Sequence, residues 1–248
     1  MKISIIMAAY NSQATIGRSI ESFLQQDYFS KELIVVDGAS QDQTCAIVRE
    51  FESPLIRLHS ERDTGIYDAM NKGLARVSGQ GFGCLNSDDC YARPDALSLI
   101  AAGLQRADIV SGGLNFVREH DGSAPVRVWH PVEHRPGAYV RGFSLPHPTT
   151  YARRAVLDKV GSFSTDYRSA SDYDWLLRAL DLEGFSHAVI NEVLVNMRIG
   201  GESTSGVRAI WRNSREMLEV RRKRLGSGAV DAATFMNLYK KYKQRIAK

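Results

Sequence analysis

Apolar residues along this chain come in two alternating arrangements: short unbroken runs, and runs spaced three and four apart. The first unbroken run is Ile3–Ala9, the pattern of a strand buried on both faces of a parallel sheet. Ile16, Ile20, Phe23 and Leu24 then fall on one helical stripe. A second buried strand, Glu32–Asp37, ends in a carboxylate, and a helix follows from about Gln43 to Phe51. A short strand at Leu55–His59, a helix over Ile66–Val77 and a strand from Gly81 to Leu85 complete the N-terminal half. This alternation predicts an α/β fold, a doubly wound, mostly parallel sheet flanked by helices.

The second half is less regular. A helix is expected over Asp95–Leu104 and a strand at Asp108–Ser111. Arg118–Pro148 is rich in Gly, Pro and His and reads as loops and short antiparallel strands. Ala155–Val160 and Ser171–Leu180 have helical spacing, the latter with Trp175, Leu176, Leu177 and Leu180 on one stripe. Val189–Ile199 reads as a strand and Gly200-Gly201-Glu202-Ser203 as a loop. Two helices, Val207–Leu225 and Asp231–Ile246, follow on either side of Gly226-Ser227-Gly228.

Polar residues sit where the strands end. Tyr10-Asn11, Asp37-Gly38 and Asn86-Ser87-Asp88-Asp89 each follow a strand directly. Open α/β sheets bind ligands beyond those C-terminal ends. No G-x-x-x-x-G-K-[ST] loop is present, and Ala8–Ser12 replaces the G-x-G-x-x-G expected of a dinucleotide site. A bound diphosphate would therefore need another source of positive charge. Asp88 and Asp89 can supply one by holding a hard divalent ion, Mn²⁺ or Mg²⁺, which takes one or two carboxylates and fills its remaining positions with phosphate and water. Paired surface aspartates are common in themselves. Their place after a buried strand, with Asp37 ending another, is what points to a site.

Composition narrows the setting. With 44% hydrophobic and 24% charged residues in 248, the chain reads as a folded globular protein. Its N-terminal apolar run is too short for a signal peptide, and no stretch reaches the ~20 apolar residues that span a bilayer. A cytoplasmic protein is expected. Cys45, Cys84 and Cys90 form no C-x-x-C pair and read as reduced thiols. The net charge of +4 is divided unevenly: residues 207–248 carry 12 Lys and Arg against 3 Asp and Glu, leaving −5 on the rest. Arg221-Arg222-Lys223-Arg224 and Lys240-Lys241-Tyr242-Lys243 are candidate patches for an anionic membrane, with a solvated helix face as the plain alternative. Nucleic acid is not expected, because aromatic residues are not interleaved through the tail.

Five segments occur together in order: Ala9-Tyr10-Asn11; Ile34–Asp37 with Gly38, Ser40 and Asp42; Gly65–Gly73; Leu85–Asp89; and Ser171–Asp174. They resemble glycosyltransferase family 2, in its bacterial exopolysaccharide and colanic-acid-type branch, over roughly residues 1–205. The resemblance implies a GT-A fold: a nucleotide-sugar-binding half over 1–115, an acceptor-binding half over 116–205, and a basic helical extension over 206–248. It implies an inverting transfer from a nucleoside diphosphate sugar, UDP-linked, to a hydroxyl of a glycan or polyprenyl-diphosphate-linked acceptor in surface polysaccharide synthesis.

By the same resemblance Ala9 and Tyr10 line the base pocket with Asn11 nearby, and Asp37 accepts a hydrogen bond from the base or ribose. Asp68 lies near the nucleotide or sugar, and Lys72 neutralises phosphate. Asp88 and Asp89 match the family's DXD-type motif, whose first aspartate is Asn86 here. Asp89 is expected to be the more direct metal ligand and Asp88 to face ribose or sugar hydroxyls. His147 is a further candidate for the metal or acceptor, and the Gly200–Ser203 loop for a lid. Asp172 aligns with the general base, and Asp174 is the alternative. Each has a structural reading beside the functional one: Asp172 suits a helix N-terminus, and Asp37 could cap a helix, although Asp42 is better placed. Two other functions use similar parts, sugar nucleotidyl transfer and nucleotide-sugar binding without turnover.

Overall fold

The computed structural model describes residues 1–200 and 206–226. Its first half follows the alternation closely: β1 (Ile3–Ala9), α1 (Ile16–Leu24), β2 (Lys31–Asp37), α2 (Thr44–Glu50), β3 (Ile56–Ser60), α3 (Ile66–Leu74) and β4 (Gly81–Cys84). These four strands are parallel in the order β3-β2-β1-β4. The unbroken apolar runs arise because both faces of the sheet are covered. Ile5 and Met7 of β1, with Leu33 and Val35 of β2, pack against α1 residues Ile16, Ile20 and Phe23. Ile6, Ile34 and Val36 turn to the other face, where Met70 and Leu74 of α3 meet them. Gly73 lets α3 lie close to β1, since a Cβ there would press into the Ile6 side chain.

The second half adds β5 (Cys90–Tyr91), α4 (Ala96–Leu104), β6 (Ile109–Val117), β7 (Arg127–Trp129), β8 (Thr150–Arg153), α5 (Arg154–Val160), α6 (Ser171–Leu177), β9 (His187–Arg198) and α7 (Gly206–Leu225). The sheet continues β4-β8-β6-β9-β5, with β7 paired to β6. Here β8 runs antiparallel to both neighbours, while β6 and β9 are parallel. The strand expected at Asp108–Ser111 extends to Val117. Gly112 and Gly113 hid its continuation, and both sit where the β6–β9 register shifts, close against the backbone of Glu192. The helix read over Ser171–Leu180 changes to a π-helical turn at Arg178–Leu182. Of the expected Gly200–Ser203 loop only Gly200 is described, and the expected helix Asp231–Ile246 and the Lys240–Lys243 patch lie outside the described residues. No helix among the described residues is long and apolar enough to cross a membrane.

Within the Gly-, Pro- and His-rich stretch the expected short antiparallel strand is β7, paired to β6, and the residues after it are pinned by buried polar groups. Asp181, on the π-helical turn, accepts hydrogen bonds from His134 Nε2 (2.6 Å), Gly137 N (3.1 Å) and Tyr139 N (3.2 Å). His134 N donates to His187 Nδ1, so the neutral His187 ring donates from Nε2 to Ser111 Oγ at 2.8 Å. Burial, helped by His134, pulls the His187 pKa down to about 4. This chain of contacts fastens the segment to β6 and β9.

Candidate active site

The C-terminal ends of β1, β2 and β4 lie side by side, with Ala9 opposite Asp37 and Ile6 opposite Cys84. The loops beyond them are stitched together. Asn11 N donates to Ser40 Oγ (2.8 Å), Gln41 N to Asn11 Oδ1 (3.0 Å) and Ser12 N to Thr44 Oγ1 (2.7 Å). Ser12 Oγ meets Ser87 Oγ at 2.9 Å, which ties the β1 loop to the β4 loop. Asn11 (φ 48°) and Ala39 (φ 61°) both adopt the left-handed conformation, strain that persists only where surrounding contacts hold it. Asp42 accepts from Gln13 N, Thr44 N and Thr44 Oγ1 one residue before the cap position of α2, which Gln43 occupies in place of the expected Asp42.

The two carboxylates of Asn86-Ser87-Asp88-Asp89 have different surroundings. Asp89 is fully buried: Oδ2 accepts from Asn86 Nδ2 (2.8 Å) and Oδ1 from Arg198 N (3.1 Å). Burial, then the neighbouring Asp88 charge, raises its pKa well above the usual carboxylate range. Asp88 is half-buried and also raised by burial, with Arg198 and His120 opposing the rise. His120 Nε2 donates to the Asp88 carbonyl at 2.8 Å, fixing the turn. Among the described residues no cluster of three or more His, Cys, Asp or Glu forms a protein-only metal cage. The donor set still suits a hard ion that takes few protein ligands, because two adjacent carboxylates raised in pKa are relieved by a cation.

Asp172, second residue of α6, accepts from Tyr67 Oη of α3 at 2.9 Å. Its charge reaches the Cys84 thiol at the end of β4, which burial pushes up to about 12. It also reaches His147, whose pKa burial lowers and the Asp172 charge partly restores. The His147 Nε2 is buried without a partner among the described residues. The base-candidate carboxylate, this imidazole and the end of β4 therefore share one neighbourhood.

The sequence profile of glycosyl transferase family 2 matches residues 4–163. The chain belongs to glycosyl transferase family 2. An uncharacterized glycosyltransferase of Mycobacterium tuberculosis is 29% identical over 179 residues, 71% of this chain and 68% of the relative. A PGL/p-HBAD biosynthesis glycosyltransferase of Mycobacterium bovis is 28% identical over 190 residues, with the same coverage. The succinoglycan biosynthesis protein ExoO of Rhizobium meliloti is 39% identical over 107 residues, 43% of this chain and 30% of ExoO. Among solved structures, S. aureus TarS 1–349 in complex with UDP-GlcNAc is similar at a TM-score of 0.69 and 21% identity, covering 95% of this chain and 69% of that one. This chain spans 41% of the longer TarS chain. The Pyrobaculum calidifontis mannosyltransferase PcManGT, solved with GDP-Man and Mn²⁺, has a TM-score of 0.69 at 19% identity, covering 94% of this chain and 66% of its own. The fold is that of the GT-A glycosyltransferases.

Within this family 2 glycosyltransferase the expected site residues divide by what already holds them. Ala9, Tyr10, Asn11 and Asp37 lie together at the β1 and β2 ends. Asp37 is fully buried, however, and its oxygens accept from Ser40 N and Oγ and from Ser60 Oγ. Burial alone would raise its pKa, but the hydrogen bonds from Ser40, Ser60 and Cys45 outweigh it and hold it below the usual range. Asp68 accepts from Thr64 N (2.9 Å) at the start of α3, and Lys72 donates to Arg62 O (2.5 Å) while 3.5 Å from Asp68. Both brace the turn that leads into α3. A cavity of about 460 Å³ beside that turn is lined by Tyr67, Asp68, Thr165 and Arg168 among others.

Two expectations change. Asp174, the alternative base, is fully buried and ion-paired with Arg178 Nε (2.9 Å) and Arg224 Nε (2.7 Å), so it is a structural charge. The same contact takes Arg224 out of the Arg221–Arg224 patch, of which Arg222 and Lys223 stay exposed. Arg221 is only 2% exposed and donates to Tyr173 Oη, Arg224 is spent on Asp174, and Lys223 pairs with Asp166. The basic helix grips α6. His120, Arg198 and Ser60 carry no signal in the sequence, because each meets its partner only through the fold. Tyr67 had one, its place in Gly65–Gly73, but its apolar character equally suited the core.

Proposed function

We propose that this glycosyltransferase moves a sugar from a nucleoside diphosphate sugar, UDP-linked in the first instance, to a hydroxyl of a glycan or lipid-linked oligosaccharide with inversion at the anomeric carbon. The observation that carries the reading is the Asp88–Asp89 pair at the end of β4, with Asp172 placed by its contact with Tyr67. The acceptor oxygen attacks the anomeric carbon, the bond from that carbon to the diphosphate oxygen breaks, and the acceptor proton passes to Asp172. Tyr67 occupies Asp172 Oδ1 and orients the carboxylate, leaving Oδ2 for the proton. A divalent ion, when bound, supplies charge neutralisation to the departing diphosphate.

Of the two carboxylates, Asp88 is the better candidate to meet that ion. Both oxygens of Asp89 accept hydrogen bonds inside the protein, so Asp89 acts by holding the turn through Asn86 and Arg198. His147, with an unpartnered nitrogen and an imidazole that burial keeps neutral, is suited to the acceptor or the ion. Support from relatives is of the same kind: TarS binds UDP-GlcNAc, PcManGT was solved with GDP-Man and Mn²⁺, and ExoO is named for succinoglycan biosynthesis. The test is a thermal-shift screen of UDP-, GDP- and dTDP-sugars with and without Mn²⁺, followed by transfer assays. Stabilisation by one donor that needs Mn²⁺ and disappears in Asp88→Ala supports the reading; release of pyrophosphate rather than a nucleoside diphosphate would replace it with nucleotidyl transfer.

A further inference from the structure

Asp37 is poorly placed to read a base. It is fully buried, and donors from Ser40, Ser60 and Cys45 already converge on its two oxygens. A second carboxylate stands at the same strand ends. Asp63, in the loop between β3 and α3, is half-buried, and its Oδ1 accepts from Gly65 N at 2.9 Å. Its Oδ2 side rests against Gly38, the residue after Asp37. A Cβ on Gly38 would lie 3.2 Å from Asp63 Cγ, closer still to Oδ2, and 3.3 Å from Tyr10 Cδ2. Tyr10 is 63% exposed, so its ring is open to a ligand. Over one glycine, therefore, an open aromatic ring and a carboxylate edge converge.

Resting on the donor reading above, we infer that Asp63 reads the nucleobase, and that it selects a base carrying a ring N–H on its pairing edge. An exposed aromatic ring provides a stacking surface that any base can use, so selection falls to the group at the edge. An ionised carboxylate only accepts hydrogen bonds. Uracil and thymine offer N3–H to it, and guanine offers N1–H beside its exocyclic amine. Cytosine N3 and adenine N1 present a lone pair instead, leaving two acceptors facing each other. Gly38 is the enabling residue, because any side chain there displaces the carboxylate. Asp37 is its buttress, holding Ser40 and Ser60 from below.

UDP and CDP separate these roles, since the two differ only at the pairing edge. Calorimetric titration of the full chain with UDP, GDP, CDP and ADP in Mn²⁺ is expected to give UDP or GDP binding about tenfold or more tighter than CDP. Asp63→Asn, whose amide can donate to a ring nitrogen, is expected to erase that preference, and Gly38→Ala to weaken it by moving the carboxylate. Asp37→Asn is expected to leave the UDP-to-CDP ratio unchanged, whatever it does to the melting temperature. A ratio unaltered in Asp63→Asn, or altered only in Asp37→Asn, overturns the inference. Wild-type binding without base preference overturns it too, while leaving the donor reading intact. Failure of the wild type to bind any nucleoside diphosphate would remove both.

Discussion

Asp172 and Asp174 are two positions apart on α6, yet their surroundings give them different work. Asp172 meets the neutral hydroxyl of Tyr67, whereas Asp174 is closed off by the guanidinium groups of Arg178 and Arg224. Substitution should separate chemistry from stability. Asp172→Asn is expected to lower the transfer rate about 10²–10⁴-fold while donor affinity holds, the loss typical of a removed general base. Asp174→Asn should instead cost about 3 kcal/mol of unfolding free energy, because it removes the buried charge that two partly buried guanidinium groups pair with. Urea denaturation of both variants beside their kinetics checks the division; an Asp172→Asn enzyme with full activity would remove the base assignment.

At the scale of elements, the start of β2 shows how the sheet tolerates a buried charge. Glu32 is 2% exposed and accepts from Lys2 Nζ (2.7 Å), Ser4 Oγ (2.5 Å) and Ser78 N and Oγ (3.0 and 2.7 Å). Burial works to raise its pKa, but these donors prevail and bring it down to about 2. Since the folded value lies below the unfolded one, Glu32 contributes stability above pH ~4.5, and that contribution fades as pH falls toward 2. That contribution is about 3 kcal/mol. Glu32→Gln should therefore melt at a lower temperature than the wild type at pH 7, with the gap narrowing between pH 5 and 2. His187 acts in the same direction over a higher range. Its folded value of about 4 means that acid costs stability as pH drops from ~6.5 toward 4, loosening the segment that Asp181 pins.

Across the whole molecule, α7 is the element whose role changed most between sequence and structure. Glu216 accepts from Ser169 N (2.7 Å) and Oγ (2.9 Å), Val220 is buried in the core, and Arg224 reaches Asp174 on the helix that carries Asp172. The basic helix is thereby fastened to the helix of the base candidate, and both lie beyond the region that the family profile matches. Arg224→Met should lower the transfer kcat with donor affinity unchanged, and Arg224→Lys should recover part of it, since a point charge replaces one of the two hydrogen bonds. Equal loss in both variants, or a change in donor affinity alone, would count against this route.

Local pattern was enough to place the first four strands, the helices between them and the three polar strand ends. Burial on both faces writes itself into a sequence as unbroken apolar runs, and helical packing as a three-to-four spacing. The family was legible for the same reason, because its motifs are short and occupy strand ends. What each carboxylate does was not legible. Asp89 is turned inward by Arg198, 109 residues away; Asp172 is oriented by Tyr67, 105 residues away; and Asp174 is neutralised by Arg224, 50 residues on. A carboxylate's availability depends on which donors the chain folds against it, and that is decided by tertiary contacts that no local spacing records.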